Sequence, residues 1–175
     1  VQTLDEIQSQ EEYKKVVKRL NIPIEDFEKY AFFSPDDYSR NCIARTENYE
    51  LLLLCWDKEQ ETQIHCHNKQ ECWVYVLQGA FLEERYLESN KSDVEIELKD
   101  SLFLKEGGIS YMNDEMGYHL LANKHENGRS MSLHLYMNPI DECNVFNPES
   151  GEFELKKLEY DSYKGELLEN AEKTA

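Results

Sequence analysis

Short apolar runs, each closed by a turn signal, set the tightest limit on how this chain can fold. Leu51-Leu52-Leu53-Leu54-Cys55-Trp56, Trp73-Val74-Tyr75-Val76-Leu77 and Met131-Ser132-Leu133-His134-Leu135-Tyr136 have the length of buried or half-buried strands. Phe81 to Leu87, Val94 to Leu98 and Leu102 to Leu104 are further candidates, and the second alternates apolar and acidic residues with period two. Gly79, Asn90-Lys91, Gly107-Gly108 and Asn127-Gly128 punctuate the runs. Many short strands with regular turns predict an all-β fold, an antiparallel barrel or jelly roll over residues 36–160. Residues 1–35 read as a helical segment. Leu4, Ile7, Val16, Val17 and Leu20 recur with a loose helical period, Pro23 ends that stretch, and Ile24, Phe27, Tyr30 and Ala31 share one side of a second short helix. Residues 161–175 are polar and acidic, and read as a loosely held tail. The chain has 175 residues and no internal repeat, which fits one domain with one core.

Charge narrows the partners. With 36 acidic residues against 19 basic ones, the formal net charge is −17. Such a surface repels phosphate backbones and anionic lipid, so nucleic-acid and membrane-surface binding are not expected. No apolar run approaches the roughly 18 residues that a membrane span needs. The first residues lack the basic start and apolar stretch of a signal peptide. The five cysteines (Cys42, Cys55, Cys66, Cys72 and Cys143) are odd in number, unevenly spaced and form no Cys-x-x-Cys pair. They read as reduced thiols in a cytoplasmic protein, with no structural zinc knuckle.

Chemistry is concentrated in three histidines. His65 and His67 are two residues apart, so on an extended backbone they face one side while Cys66 faces the other. Such a pair could equally be two surface residues; its context argues for a site. Glu71, Cys72 and Gly79 follow, and further on comes Gly117-Tyr118-His119-Leu120-Leu121-Ala122-Asn123.

That context resembles the two motifs of the cupin superfamily, in which His-x-His precedes a glutamate and a glycine, and a second motif carries Gly, His and Asn. Gly79 lies seven residues beyond Cys72, so in the better register Cys72 occupies the slot where many cupins keep their glutamate. In the other register Glu71 would be that ligand. The fold implied is a cupin-type β-barrel (jelly roll) with short N-terminal helices.

The resemblance narrows further. Tyr38-Ser39-Arg40-Asn41, Leu54-Cys55-Trp56, Ile64-His65-Cys66-His67, Cys72, Leu77-Gln78-Gly79, Asn113-Asp114, Gly117-Tyr118-His119 and Ser132-Leu133-His134-Leu135-Tyr136 occur in order. Together, across roughly residues 30–147, they are similar to the cysteine dioxygenase family. The resemblance implies a mononuclear Fe(II) held by His65, His67 and His119, and Arg40 gripping the carboxylate of L-cysteine with Tyr38 packed beside it. It also implies a relay of Ser132, His134 and Tyr136, and a thioether linking Cys72 to Tyr136. The implied reaction oxidises L-cysteine with O₂ to cysteine sulfinic acid, in a chain that works as a monomer.

The residue chemistry agrees with that reading without fixing the metal. Three imidazoles leave coordination positions open and suit iron or zinc. A guanidinium fork suits a carboxylate. The alternatives are a sibling thiol dioxygenase acting on mercaptopropionate or cysteamine, or a metal-binding cupin that is not an oxygenase. In the mercaptopropionate group the arginine position is often glutamine, and cysteamine has no carboxylate for Arg40. His125 reads as a solvated loop residue, Cys143 as a nonfunctional thiol, and Trp56 and Trp73 as core. One departure stands out: Asn138 in Tyr136-Met137-Asn138-Pro139 replaces a family proline, which puts a cis peptide bond there in doubt.

Overall fold

The computed structural model describes residues 23–89, 96–126 and 128–169. The helix expected over residues 4–20 lies outside them. The second expected helix is present as a short 3₁₀ turn, Ile24–Tyr30, with Phe27 buried. Among the described residues no helix is long and apolar enough to cross a membrane.

Among the described residues twelve strands follow: β1 (Ser39–Arg45), β2 (Tyr49–Trp56), β3 (Glu71–Gln78), β4 (Ala80–Glu88), β5 (Ile96–Lys105), β6 (Ile109–Met112), β7 (Tyr118–Asn123), β8 (Ser130–Met137), β9 (Glu142–Asn147), β10 (Glu152–Lys157), β11 (Ser162–Tyr163) and β12 (Glu166–Leu167). A seven-stranded sheet runs β12-β11-β1-β2-β8-β3-β6, a three-stranded sheet runs β5-β4-β7, and β9 and β10 form a hairpin. Isolated bridges join His65 to both His119 and Val145, so the first metal-motif histidine ties the small sheet to the hairpin. The result is the expected jelly-roll barrel.

Alternation along the central strands gives the large sheet two faces. Leu52, Leu54, Trp56, Cys72, Val74, Val76 and Tyr136 point into the barrel with Phe81 and Leu121 of the small sheet. Leu53, Cys55, Met131 and Leu133 point outward, where Phe27 and its 3₁₀ turn pack on them. Tyr49, Trp73 and Leu135 continue that outer apolar face.

Two motif glycines have steric reasons. Gly79 adopts φ +88°, and a Cβ there would stand 2.0 Å from Ser130 Oγ. Gly117 adopts φ +97°, and its Cβ would stand 2.2 Å from the Tyr86 carbonyl oxygen. Both turns therefore demand glycine.

Two expectations change in detail, and the doubt over Asn138 is answered. Ile96 to Leu98 and Leu102 to Leu104 belong to one continuous strand, β5, bulged opposite Arg85 and Tyr86; most of it is exposed, so its alternation marks an edge strand rather than a core one. The segment beginning at 161 is not loosely held as far as 167. Ser162 is buried and pairs in parallel with Asn41, and Asp161 exchanges backbone and carboxylate hydrogen bonds with Arg40. Polar groups make this attachment, so no apolar period announces it. Asn138 sits at φ +66° with every described peptide bond trans, a left-handed turn that asparagine tolerates.

Candidate metal centre and substrate pocket

His65 and His67 do not lie on a regular strand. They stand at the isolated bridges of His65, and the loop after them is pinned by the Asp114 carboxylate, which accepts from the backbone N–H of His67 and of Lys69 at 2.7 Å each. His119 comes from β7 and closes the cluster: one ring nitrogen from each of the three histidines lies within 4.8 Å of the others. His119 Nε2 is 3.0 Å from His67 Nε2. Nitrogens bonded cis to one ion at about 2.1 Å stand about 3 Å apart, so the spacing fits a shared metal. His65 Nδ1 is 2.9 Å from the Gln63 carbonyl, to which it donates, leaving Nε2 for the metal. Burial pulls His65 down to about 3 and His67 well below its usual value, and the neighbouring His119 ring pulls both the same way. Both rings are therefore neutral, as metal ligation requires.

Glu83 completes the centre, and the sequence reading missed it. Its fully buried carboxylate accepts from His119 Nδ1 at 2.9 Å, from Arg85 Nη2 at 3.3 Å and from the Ser110 hydroxyl. Burial works against its charge, but the His119, Ser110 and Arg85 contacts hold the carboxyl down to about 2. A carboxylate behind a ligating imidazole orients the ring and raises its basicity. The only signal was position: Phe81, Glu83 and Arg85 share one parity of β4, and Phe81 faces the core.

Cys72 rather than Glu71 points into the barrel. Cys72 is buried inside the barrel, whereas Glu71 shares the parity of Trp73 and bonds Tyr111 on the outer face. Cys72 is the register partner of Tyr136 across β3 and β8, and the thiol and phenol share a hydrogen bond. Burial and then Cys72 push Tyr136 well above its usual value, so it is a neutral phenol and a donor. Its ring meets His67 edge-on at 5.6 Å.

The three residues of the expected relay lie along the inner face of β8, with Cys72 beside them. Ser132 Oγ lies 2.9 Å from His134 Nε2, but the His134 and Tyr136 rings are 6.3 Å apart, and His134 Nδ1 faces Cys72 Sγ at 3.9 Å. The His134 and Tyr136 rings stack loosely at an interplanar angle of 23°, and the thiol of the neighbouring strand stands against His134 Nδ1.

Beside the histidines a pocket of about 360 Å³, counting its open mouth, is lined by Tyr38, Arg40, Tyr136, Cys143, Val145 and Lys156 among others. Arg40 is buried, yet its Nε and Nη2 atoms have no hydrogen-bond partner. Burial opposes the guanidinium charge, but Tyr136, Tyr38 and Glu50 hold its pKa above the usual value. Burial pushes Tyr38 up to about 12 against the lowering pull of Arg40. At the mouth Lys156 donates to Gln63 Oε1 at 2.9 Å. His125 sits in a turn after β7 and takes no part.

A jelly-roll barrel with a three-histidine cluster inside it defines the class: a cupin with a candidate metal site. The crystal structures of TT1209 from Thermus thermophilus and of BH2720 from Bacillus halodurans share the fold. The first has a TM-score of 0.51 at 15% identity, covering 68% of this chain and 98% of that one. The second has a TM-score of 0.51 at 14% identity, covering 69% and 82%. The sequence model described as "Cysteine dioxygenase type I" matches residues 3–149, and the chain belongs to that family. Cysteine dioxygenase type 1 of Homo sapiens is 29% identical over 142 residues, 81% of this chain and 71% of that protein. The Bos taurus protein of the same name is 30% identical over the same shares. The Danio rerio protein is 27% identical over 158 residues, 89% and 79%.

Proposed function

We propose that this chain is an iron-dependent thiol dioxygenase that converts free L-cysteine and O₂ into cysteine sulfinic acid. The observation that carries the substrate class is Arg40. A buried guanidinium with two unpaired nitrogens is costly in the free protein, and a small carboxylate would satisfy it. The histidines lie beside the same pocket, so one small molecule can present its carboxylate to Arg40 and its thiol to the metal site. Fe(II), held by His65, His67 and His119, supplies the O₂-activating chemistry and favours the thiolate form of the substrate.

The chain's own residues do the rest. Arg40, held through its backbone by Asp161, orients the carboxylate. Tyr38, stacked on Trp56, walls that end of the pocket. Tyr136, a neutral phenol at the pocket edge, donates a hydrogen bond to the group being oxidised. Glu83 keeps the His119 ring in its ligating orientation.

The contact between Cys72 and Tyr136 supports their thioether. Joining Cys72 Sγ to a ring carbon removes the thiol hydrogen and one ring hydrogen, and O₂ accepts the two electrons and two protons. Peptide mass spectrometry after turnover should find the linked pair two hydrogens lighter; active protein with only unmodified peptides would remove the crosslink alone.

Five buried free thiols support a reducing, cytoplasmic setting. Turnover under ¹⁸O₂ tests the reaction itself. Cysteine sulfinic acid carrying two labelled oxygens is expected; unlabelled product or cystine would reject it.

A further inference from the structure

The relay on β8 continues one residue further than the family resemblance implies. The Trp56 indole is fully buried, stacked on Tyr38 at 4.6 Å and edge-on to Phe81 at 5.3 Å. Its Nε1 lies 2.9 Å from Ser132 Oγ. Beyond that hydroxyl come His134 Nε2, also at 2.9 Å, then Cys72 Sγ, 3.9 Å from His134 Nδ1, and then Tyr136.

Only one direction satisfies every group. An indole N–H can donate but never accept, so Ser132 Oγ accepts from Trp56. Ser132 has no exposed surface, and its one hydrogen needs an acceptor, which His134 Nε2 provides. Were His134 to donate from Nε2 instead, Ser132 would receive two donors and leave its own hydrogen unpaired in a dry site. A bare Nε2 puts the ring proton on Nδ1, facing Cys72. While Cys72 remains an unlinked thiol, its hydrogen can then turn to the Tyr136 oxygen, and the Tyr136 hydroxyl hydrogen is left for the pocket.

We propose that Trp56 is a positioning residue whose N–H sets the direction of this chain and holds His134 as the Nδ1–H tautomer, so that Tyr136 meets the reacting atoms as a donor. Its meaning for catalysis rests on the dioxygenase reading above; the tautomer itself does not. Its core packing alone would not require the donor: phenylalanine could stack on Tyr38 equally well, but could not orient Ser132.

The test reads the tautomer directly. The full chain, labelled with ¹⁵N-histidine and loaded with Zn(II) as a diamagnetic probe, is examined by long-range ¹H–¹⁵N correlation, with His134→Gln assigning the signal. His134 should show a protonated Nδ1 and a bare Nε2. Trp56→Phe should shift it from one tautomer to a mixture of two. Ser132→Ala, which leaves the indole in place, should release the same lock and serves if the Trp56 variant does not fold. A wild-type His134 protonated on Nε2, or a folded variant of either kind with an unchanged tautomer, would overturn the proposal. The dioxygenase reading would stand or fall separately, on oxygen incorporation by the iron-loaded protein.

Discussion

The two faces of the large sheet are built from the same strands and do opposite jobs. Along β8 the residues pointing into the barrel are Ser130, Ser132, His134 and Tyr136, while Met131, Leu133, Leu135 and Met137 point out. Along β3, Cys72 points in and Trp73 and Tyr75 point out. The inner face therefore carries the hydrogen-bonded cluster beside the histidines, and the outer face is dominated by apolar packing. Inner substitutions should change metal binding, specificity and pH response, whereas outer ones should change stability and leave chemistry intact.

The largest effect expected is on the inner side. His119→Ala should drop bound iron from near stoichiometric to background while the circular dichroism spectrum stays that of the barrel, and His125→Ala should change neither. Full iron occupancy in His119→Ala would break the ligand assignment. Next, Arg40→Ala should lower kcat/KM for cysteine by the equivalent of about 2–5 kcal/mol, because a charge-assisted contact in a desolvated pocket is lost. Cysteamine, which lacks the carboxylate, should lose far less. Equal losses for both thiols would make Arg40 a structural residue.

The outer face should respond in stability instead. Leu133→Ala, beneath Phe27, should cost about 2–3 kcal/mol in urea denaturation, with kcat/KM per folded molecule unchanged. A specific loss of activity there would blur the division between faces.

The last effect expected is a slope rather than a step. Burial lowers His134 to about 3, aided by His119, Arg40 and His65 and opposed by Glu83. The unfolded chain takes up that proton near pH 6.5 and the folded chain does not, so the unfolded state binds more protons in between. This residue's share of stability is full above about pH 6.5 and is lost progressively as pH falls toward the folded pKa, at up to about 1.4 kcal/mol per pH unit. His134→Gln should flatten the stability-against-pH curve of the metal-free protein by that amount between about pH 4 and 6. An unchanged slope would mean that His134 titrates normally.

What the sequence displayed follows the same division. Strands with one apolar face announce themselves by alternation, so β2, β3 and β8 were legible, while His65, His67 and His119 were legible through the resemblance of the motifs around them. Glu83 was not, because Glu83-Glu84-Arg85 is charged on both parities and nothing local says which residue turns inward. Asp161 and Ser162 read as tail for a similar reason: they hold β1 through polar contacts. Trp56 looked like core, and it is core; its N–H mattered only once Ser132 was seen beside it. The place of Cys72 beside both His134 and Tyr136 was not legible, since contacts across strands depend on register, which spacing alone does not supply.

Oxygen uptake by the iron-loaded protein across cysteine, mercaptopropionate and cysteamine tests the central claim most directly. A pocket built around the Arg40 guanidinium and three ligating imidazoles predicts robust uptake with cysteine, with one O₂ consumed per sulfinic acid formed, and little uptake with cysteamine. No uptake with cysteine, or cysteamine turned over as well as cysteine, would contradict the account.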